Sequence, residues 1–212
     1  MIEVLVVDDH TIFRSGLQRL LADETDMRVR EQAGNAADAM QILRRASFDL
    51  VILDINMKGR SGLDMLKSLR REWPDLPVLM VSMYPEEQFA QAALDGGANG
   101  YVSKDAEPED LLTAIRRVAQ GGNYVTPAFA ARRRNARGAL GEDPAPLHFK
   151  LTAREMQVMT AIVSGRSLTD IAEQLRLSVK TVSTYRGRIL EKLQLAGNSE
   201  LVRYAMQNSL LD

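Results

Sequence analysis

Asp8, Asp9 and Asp54 define the chemistry this 212-residue chain could carry out. Asp8-Asp9 ends the apolar run Ile2–Val7, and Asp54 ends Leu50-Val51-Ile52-Leu53. Taken alone, Asp54 would more commonly just cap a strand at a turn. Three carboxylates packed together repel one another unless a cation joins them. No histidine or cysteine is expected beside them, so the donors are hard oxygens. Mg²⁺ prefers such a site, keeping several waters and taking one or two carboxylates plus phosphate oxygens. Lys104 would add a point charge for a phosphoryl oxygen and Ser82 a hydroxyl donor. The set has the parts needed to stabilise phosphoryl transfer to a carboxylate.

These residues meet only if the chain brings them to one edge. Ile2–Val7, Met27–Ala33, the Asp54 run, Val78–Val81 and the short Tyr101-Val102 segment read as strands, the first, third and fourth as buried runs and Met27–Ala33 as an alternating outer strand. Helices are expected between them: Thr11–Ala22, a segment capped by Asn35 and running through Ala46, and one carrying Leu63, Leu66 and Leu69 that stops near Pro74. The next opens at Pro85 and ends at Gly96-Gly97, and the last is Glu109–Ala119 after Pro108. Five strands alternating with five helices predict an α/β fold, a five-stranded parallel doubly wound (flavodoxin-like) sheet with helices on both faces. Strand carboxyl ends share one edge, so Asp8, Asp9, Asp54, Ser82 and Lys104 should converge in one cleft.

Charge divides the chain. Residues 1–126 carry −6 (14 Lys and Arg against 20 Asp and Glu), residues 127–150 carry +3 (5 against 2) and residues 151–212 carry +2 (8 against 6). An acidic body joined to a basic tail suits a regulatory or metal-binding unit attached to something that meets a polyanion. The absence of cysteine excludes disulfides and thiolate metal sites. No basic leader precedes Glu3 and no apolar run approaches the roughly 20 residues of a membrane span, so a cytoplasmic protein without membrane contact is the expectation.

Residues 126–149 read as a linker, with Ala128–Arg134 as a short helix. Arg132, Arg133, Arg134 and Arg137 could touch DNA phosphates, although a solvated linker face is the commoner role of such a cluster. Beyond it, Thr152-Ala153-Arg154-Glu155 fits a capping box, followed by Met156, Val158, Met159, Ile162 and Val163 up to Gly165. Ser167 starts a second, short helix, Ser178 caps a third to Leu193, and Asn198 caps a fourth. Two short helices around a tight turn describe a helix-turn-helix in a small all-α domain. On the third helix Val179, Val182, Ile189, Leu190 and Leu193 form the inward stripe.

Residues 1–125 resemble the receiver domain of two-component response regulators. The motifs are Val6-Val7-Asp8-Asp9-His10, Leu53-Asp54-Ile55-Asn56-Met57 with Ser61-Gly62-Leu63-Asp64, Gly97-Ala98-Asn99-Gly100-Tyr101, and Ser103-Lys104-Asp105-Ala106 with Pro108. The resemblance implies that Asp54 accepts a phosphoryl group from a sensor histidine kinase. It implies Mg²⁺ held by Asp9, Asp54 and the backbone carbonyl of Asn56, with Asp8 helping. Ser82 and Tyr101 stand at its switch positions and Lys104 pairs with the phosphoryl group. Movement of Ser82 toward that group would leave space for Tyr101 to rotate inward, altering the face built from Pro85–Asp95, Tyr101 and Pro108–Ala119. Lys58 departs from the family, where many members have proline, and places a cation where it could alter access to the acyl phosphate or its lifetime.

Residues 150–212 resemble the four-helix LuxR-type (NarL-class) DNA-binding domain. The matches are Leu151-Thr152-Ala153-Arg154-Glu155, then Val158, Ile162 and Gly165, then Ile171-Ala172 and Leu175, and Leu177–Val182 through Tyr185, Arg186, Ile189 and Lys192-Leu193. On its third helix Lys180, Ser183, Thr184, Gly187 and Arg188 lie outward. Lys180, Arg186, Arg188 and Lys192 are candidates for phosphate contacts, Thr181 for positioning the helix start, and Ser183, Thr184 and Tyr185 for base contacts. Gly187 costs the helix roughly 1 kcal/mol against Ala, either to permit close approach to DNA or as tolerated drift. A charge of +2 is modest for a DNA binder, so a homodimer on paired half-sites of promoter DNA is expected, joined through the last helix, Ser199–Leu210, with RNA polymerase as a further partner.

Other classes fit less well. A Mg²⁺-dependent phosphatase of the haloacid dehalogenase type would need a second carboxylate two residues after the nucleophile, where this chain has Asn56. A dinucleotide-binding fold would need a glycine-rich turn after the first strand. A receiver kept only for protein contacts would not need Asp8, Asp9, Asp54, Ser82 and Lys104 together. The chain is therefore expected not to be an enzyme beyond its own phosphorylation and dephosphorylation.

Overall fold

The computed structural model describes residues 1–57, 61–84, 86–138, 147–175, 177–208 and 210. Lys58, Pro85 and Arg176 lie outside the described residues. The chain divides into two units, Met1–Gly141 and Glu142–Asp212.

The first unit is built on strands β1 (Ile2–Val7), β2 (Met27–Ala33), β3 (Leu50–Asp54), β4 (Val78–Ser82) and β5 (Gly100–Ser103), all parallel and in the order β2-β1-β3-β4-β5. β3 and β4 are buried along their whole length, as their unbroken apolar runs require of strands covered on both faces. The helices are α1 (Thr11–Ala22), α2 (Ala36–Arg45), α3 (Gly62–Glu72), α4 (Glu86–Asp95) and α5 (Pro108–Ala119). Asn35 and Ser61 cap α2 and α3 through their side chains, and Pro108 opens α5. Strand order reverses between β1 and β3, where this class of sheet opens a crevice at the strand carboxyl ends.

The stretch expected to be a linker holds more structure than the sequence suggests. Helix α6 spans Pro127–Gly138, well beyond the expected Ala128–Arg134. Its start is fixed from a distant element. The buried Glu86 carboxylate accepts from the Thr126 backbone N–H at 2.9 Å and from the Thr126 hydroxyl. Thr126 Oγ1 in turn accepts from Phe129 N at 3.2 Å, and the Phe129 ring is buried. Tyr124 bridges to Gly100 on β5.

The second unit contains a 3₁₀ turn (Leu147–Lys150) and helices α7 (Ala153–Val163), α8 (Leu168–Leu175), α9 (Val179–Leu193) and α10 (Asn198–Gln207). The capping box at α7 is complete in both directions. Gly165 takes φ +80° just past its end, a left-handed position that favours glycine. Ile171, Val182, Ile189, Leu193 and Leu201 are buried at its centre. Two expectations need correction. Val179 is 45% exposed, because at the first position of α9 it has no preceding turn to pack beneath. Asn198 is the first residue of α10, whose cap is Gly197 with no side-chain bond, because the Asn198 amide oxygen is taken by Arg186. Among the described residues no helix is long and apolar enough to cross a membrane.

Candidate functional site

β1 and β3 are neighbours, so Asp8, one residue past β1, and Asp54, at the end of β3, lie side by side, and both are fully buried. Lys104, one residue past β5, reaches across the edge. Its Nζ stands 2.6 Å from Asp8 Oδ2 and 3.0 Å from Asp54 Oδ2, and the lysine side chain is only 4% exposed. The ammonium also lies 4.7 Å from the centre of the Phe13 ring, a cation–π contact that aims it inward. Asn56 N donates to Asp54 Oδ1 at 3.1 Å, and Arg14 donates to the Asp8 carbonyl. Burial pushes the Asp54 carboxyl above the ordinary carboxylate range; Lys104 pulls it down and Asp8 pushes it up.

Gly62 makes this geometry possible. Its N–H donates to Ile55 O at 2.9 Å, and a Cβ there would fall 2.0 Å from the Asp54 carbonyl oxygen. Only glycine lets α3 begin against the end of β3.

The expectation of a site without histidine is wrong. His10 N donates to Asp8 Oδ1 at 2.7 Å, a local turn that folds residue 10 back over the carboxylates. His10 Nδ1 then lies 3.1 Å from Asp8 Oδ1, 3.0 Å from Asp9 Oδ1 and 3.7 Å from Asp54 Oδ2. One ligand atom from each of Asp8, Asp9, His10 and Asp54 lies within 4.8 Å of the others. Among the described residues the site consists of carboxylate oxygens gathered around Lys104, and that donor set fits a hard divalent cation.

Tyr101 is fully buried. Its hydroxyl donates to the Tyr84 carbonyl at 2.8 Å. Tyr84 N donates to Ser82 Oγ at 3.2 Å. Ser82 and Tyr101 are thus joined through the Tyr84 backbone, a link the sequence did not indicate.

In the second unit Ser178 accepts from Thr181 N at 3.0 Å and begins α9. Lys180, Ser183, Thr184, Gly187 and Arg188 are exposed, and Thr181, Tyr185, Arg186 and Lys192 half-buried. Ser178, Lys180, Thr181, Thr184, Tyr185 and Arg188 line one concavity. Two of the residues expected at phosphates have partners within the fold. Arg186 Nε donates to Asn198 Oδ1 at 2.6 Å, and Lys192 Nζ lies 2.6 Å from Oε2 of the buried Glu155. Burial alone would raise the Glu155 carboxyl, but the bonds from Lys192 and Thr152 outweigh it and hold it below its ordinary value. A depressed carboxylate stabilises the fold above the unfolded glutamate range, and that stability is lost as pH falls through the folded value. The second unit should therefore weaken on acidification below the ordinary glutamate range. Lys192→Ala should cost about 1 kcal/mol at neutral pH, read by denaturant unfolding, and leave the salt dependence of DNA binding unaltered.

A parallel sheet with acidic β1 and β3 ends and a lysine after β5, followed in the chain by a helix-turn-helix, defines a receiver joined to a DNA reader. Residues 4–116 match the response regulator receiver domain, and residues 150–205 the bacterial regulatory proteins of the luxR family. The chain is 35% identical over 212 residues to the response regulator GacA of Pseudomonas aeruginosa, covering 100% of this chain and 99% of that protein. It is 34% identical over 210 residues to the response regulator UvrY of Escherichia coli K12, covering 99% and 96%. Among solved structures, the response regulator ChrA of a heme-sensing two-component system is 27% identical at TM-score 0.53, over 99% of this chain and 98% of that one. RcsB of Salmonella typhimurium shares the fold at TM-score 0.67 and 23% identity, over 97% of both chains. The protein belongs to the response regulators of two-component systems, and it is a LuxR-type DNA-binding transcription regulator.

Proposed function

We propose that Asp54 takes a phosphoryl group from a sensor histidine kinase and that this event controls how the LuxR-type domain engages promoter DNA. The observation that carries it is the pairing of one lysine with two buried carboxylates at the ends of adjacent strands. An Asp54 carboxylate oxygen forms the new P–O bond as the P–N bond of the donor phosphohistidine breaks, and the imidazole departs with that bond's electron pair. Lys104, already 3.0 Å from Asp54 Oδ2, stands ready to neutralise charge on the transferred group. Asp8, Asp9, Asp54 and the Asn56 carbonyl would hold Mg²⁺, which when bound supplies positive charge to the phosphoryl oxygens. The new charge would draw Ser82 toward it. Ser82 is tied through Tyr84 to Tyr101, so its movement would be felt at the start of α4 and along β5. A homodimer is the active form and RNA polymerase its partner at the promoter.

The DNA contacts rest chiefly on Lys180 and Arg188, the two exposed cations of α9. Lys180→Ala or Arg188→Ala should weaken binding to all duplexes about equally and lower the slope of log affinity against log salt by about 1. Titrations at several salt concentrations decide this, and an unaltered slope in both variants would remove α9 from the interface. Light scattering with and without acetyl phosphate and Mg²⁺ tests the dimer. Equal dimer content in both conditions would count against it as the switched form.

A further inference from the structure

We propose that Phe13 is a positioning residue for phosphoryl transfer to Asp54: the face of its ring takes the side of the Lys104 ammonium that no carboxylate covers, and so holds that charge where the phosphoryl oxygens arrive. The inference rests on Asp54 being the acceptor and Lys104 its partner. It starts from the number of donors an ammonium carries. Lysine ends in three N–H groups on a flexible four-carbon stem, so two partners do not fix it. Among the described residues its ion-pair partners are Asp8, at 2.6 Å, and Asp54, at 3.0 Å. The side chain is 4% exposed, which leaves bulk water little access to the third N–H. The centre of the Phe13 ring lies 4.7 Å from Nζ, within the range where the negative face of an aromatic ring attracts a cation.

The ring is itself anchored. Phe13 stands in the first turn of α1 and packs against the core that holds Val4, Val6 and Leu17. Arg14, the next residue, donates to the Asp8 carbonyl and ties that turn to the end of β1. The Lys104 backbone is fixed separately, its N–H donating to Ser82 O at 2.7 Å. Two held elements thus bracket a flexible stem. A second cation–π contact among the described residues, Arg30 over Phe48 at 5.6 Å, has its cation on a side chain 45% exposed, where water competes for it. The contact at Lys104 is shorter and screened from solvent, the condition in which such attraction is strongest. When a phosphoryl group arrives, the ammonium must turn its hydrogens from carboxylate to phosphoryl oxygens. Attraction to a ring face is not tied to one N–H direction, so Phe13 keeps its hold while the ammonium turns. An aliphatic residue would offer no such attraction, and the charge would be less well preorganised for transfer.

The test uses the full chain with acetyl phosphate and Mg²⁺ and reads the rate of phosphoryl incorporation by intact mass. Phe13→Leu should slow incorporation about tenfold, and Phe13→Tyr should stay within about twofold of the wild type, because its ring keeps the attracting face. A graded series separates attraction from packing. Phenylalanine bearing one, two or three ring fluorines, placed at position 13 by codon suppression, nearly keeps its size while the ring face loses negative charge at each step. The logarithm of the rate should fall stepwise along that series. A residue that only fills space would give one rate throughout, and that flat series would overturn the proposal. So would a Phe13→Tyr variant as slow as Phe13→Leu. Failure of the underlying assignment looks different: Asp54→Asn would still take up the phosphoryl group, and the proposal would fall with it.

Discussion

Asp54→Asn is expected to reduce phosphoryl incorporation from one group per chain to none, with the fold intact. Asparagine has the shape of aspartate, and Lys104 keeps its contact with Asp8 at 2.6 Å. The amide cannot supply the anionic oxygen that attacks phosphorus. It also removes one of the three like charges crowded at the strand ends, a position where burial already disfavours ionisation. Unfolding stability should therefore be maintained while acceptor function disappears. Intact-mass measurement after incubation with acetyl phosphate and Mg²⁺, paired with denaturant unfolding, checks both parts. Label that persists in the variant would move the acceptor elsewhere.

Lys104→Met should have the largest effect on stability. The lysine side chain is 4% exposed and faces two fully buried carboxylates, so methionine would leave Asp8 and Asp54 without their cation. Removing one partner from a buried ion cluster costs about 3–5 kcal/mol. The loss should be partly recovered by millimolar Mg²⁺, because a divalent cation among the same oxygens replaces the missing charge. Thermal unfolding of wild type and variant, with and without Mg²⁺, makes the comparison. The wild type should gain less from the ion than the variant does. A variant that melts like the wild type without Mg²⁺ would mean that Lys104 does not neutralise the cluster.

The parts of the fold that depend on periodicity and punctuation were legible in the residues. The buried runs ending at Asp8-Asp9, Asp54 and Ser82, the Asn35 cap and the Thr152–Glu155 capping box are local signals, and strand ends of a parallel sheet meet on one edge whatever the loops do. What escaped depends on contacts between residues far apart in the chain, or on backbone turns without a strong signature. The start of α6 is set by Glu86, forty residues earlier, which holds Thr126. Arg186 and Lys192 look like free cations on a helical wheel until Asn198 and Glu155 are placed beside them. His10 joins the carboxylates through local hydrogen bonds to Asp8. The Tyr101 hydroxyl finds its acceptor in the Tyr84 carbonyl, on a separate element. The exposure of Val179 could have been anticipated, since a first-turn residue lacks the turn that would cover it.

Control of DNA binding by the state of Asp54 can be measured directly. Affinity for duplexes selected from a random pool would be determined for the wild type and Asp54→Asn, each with and without acetyl phosphate and Mg²⁺ at fixed salt. A phosphorylation-driven switch predicts that the wild type tightens by about tenfold on phosphorylation while Asp54→Asn stays at its starting affinity. Equal affinity of the phosphorylated and unmodified wild type would contradict it.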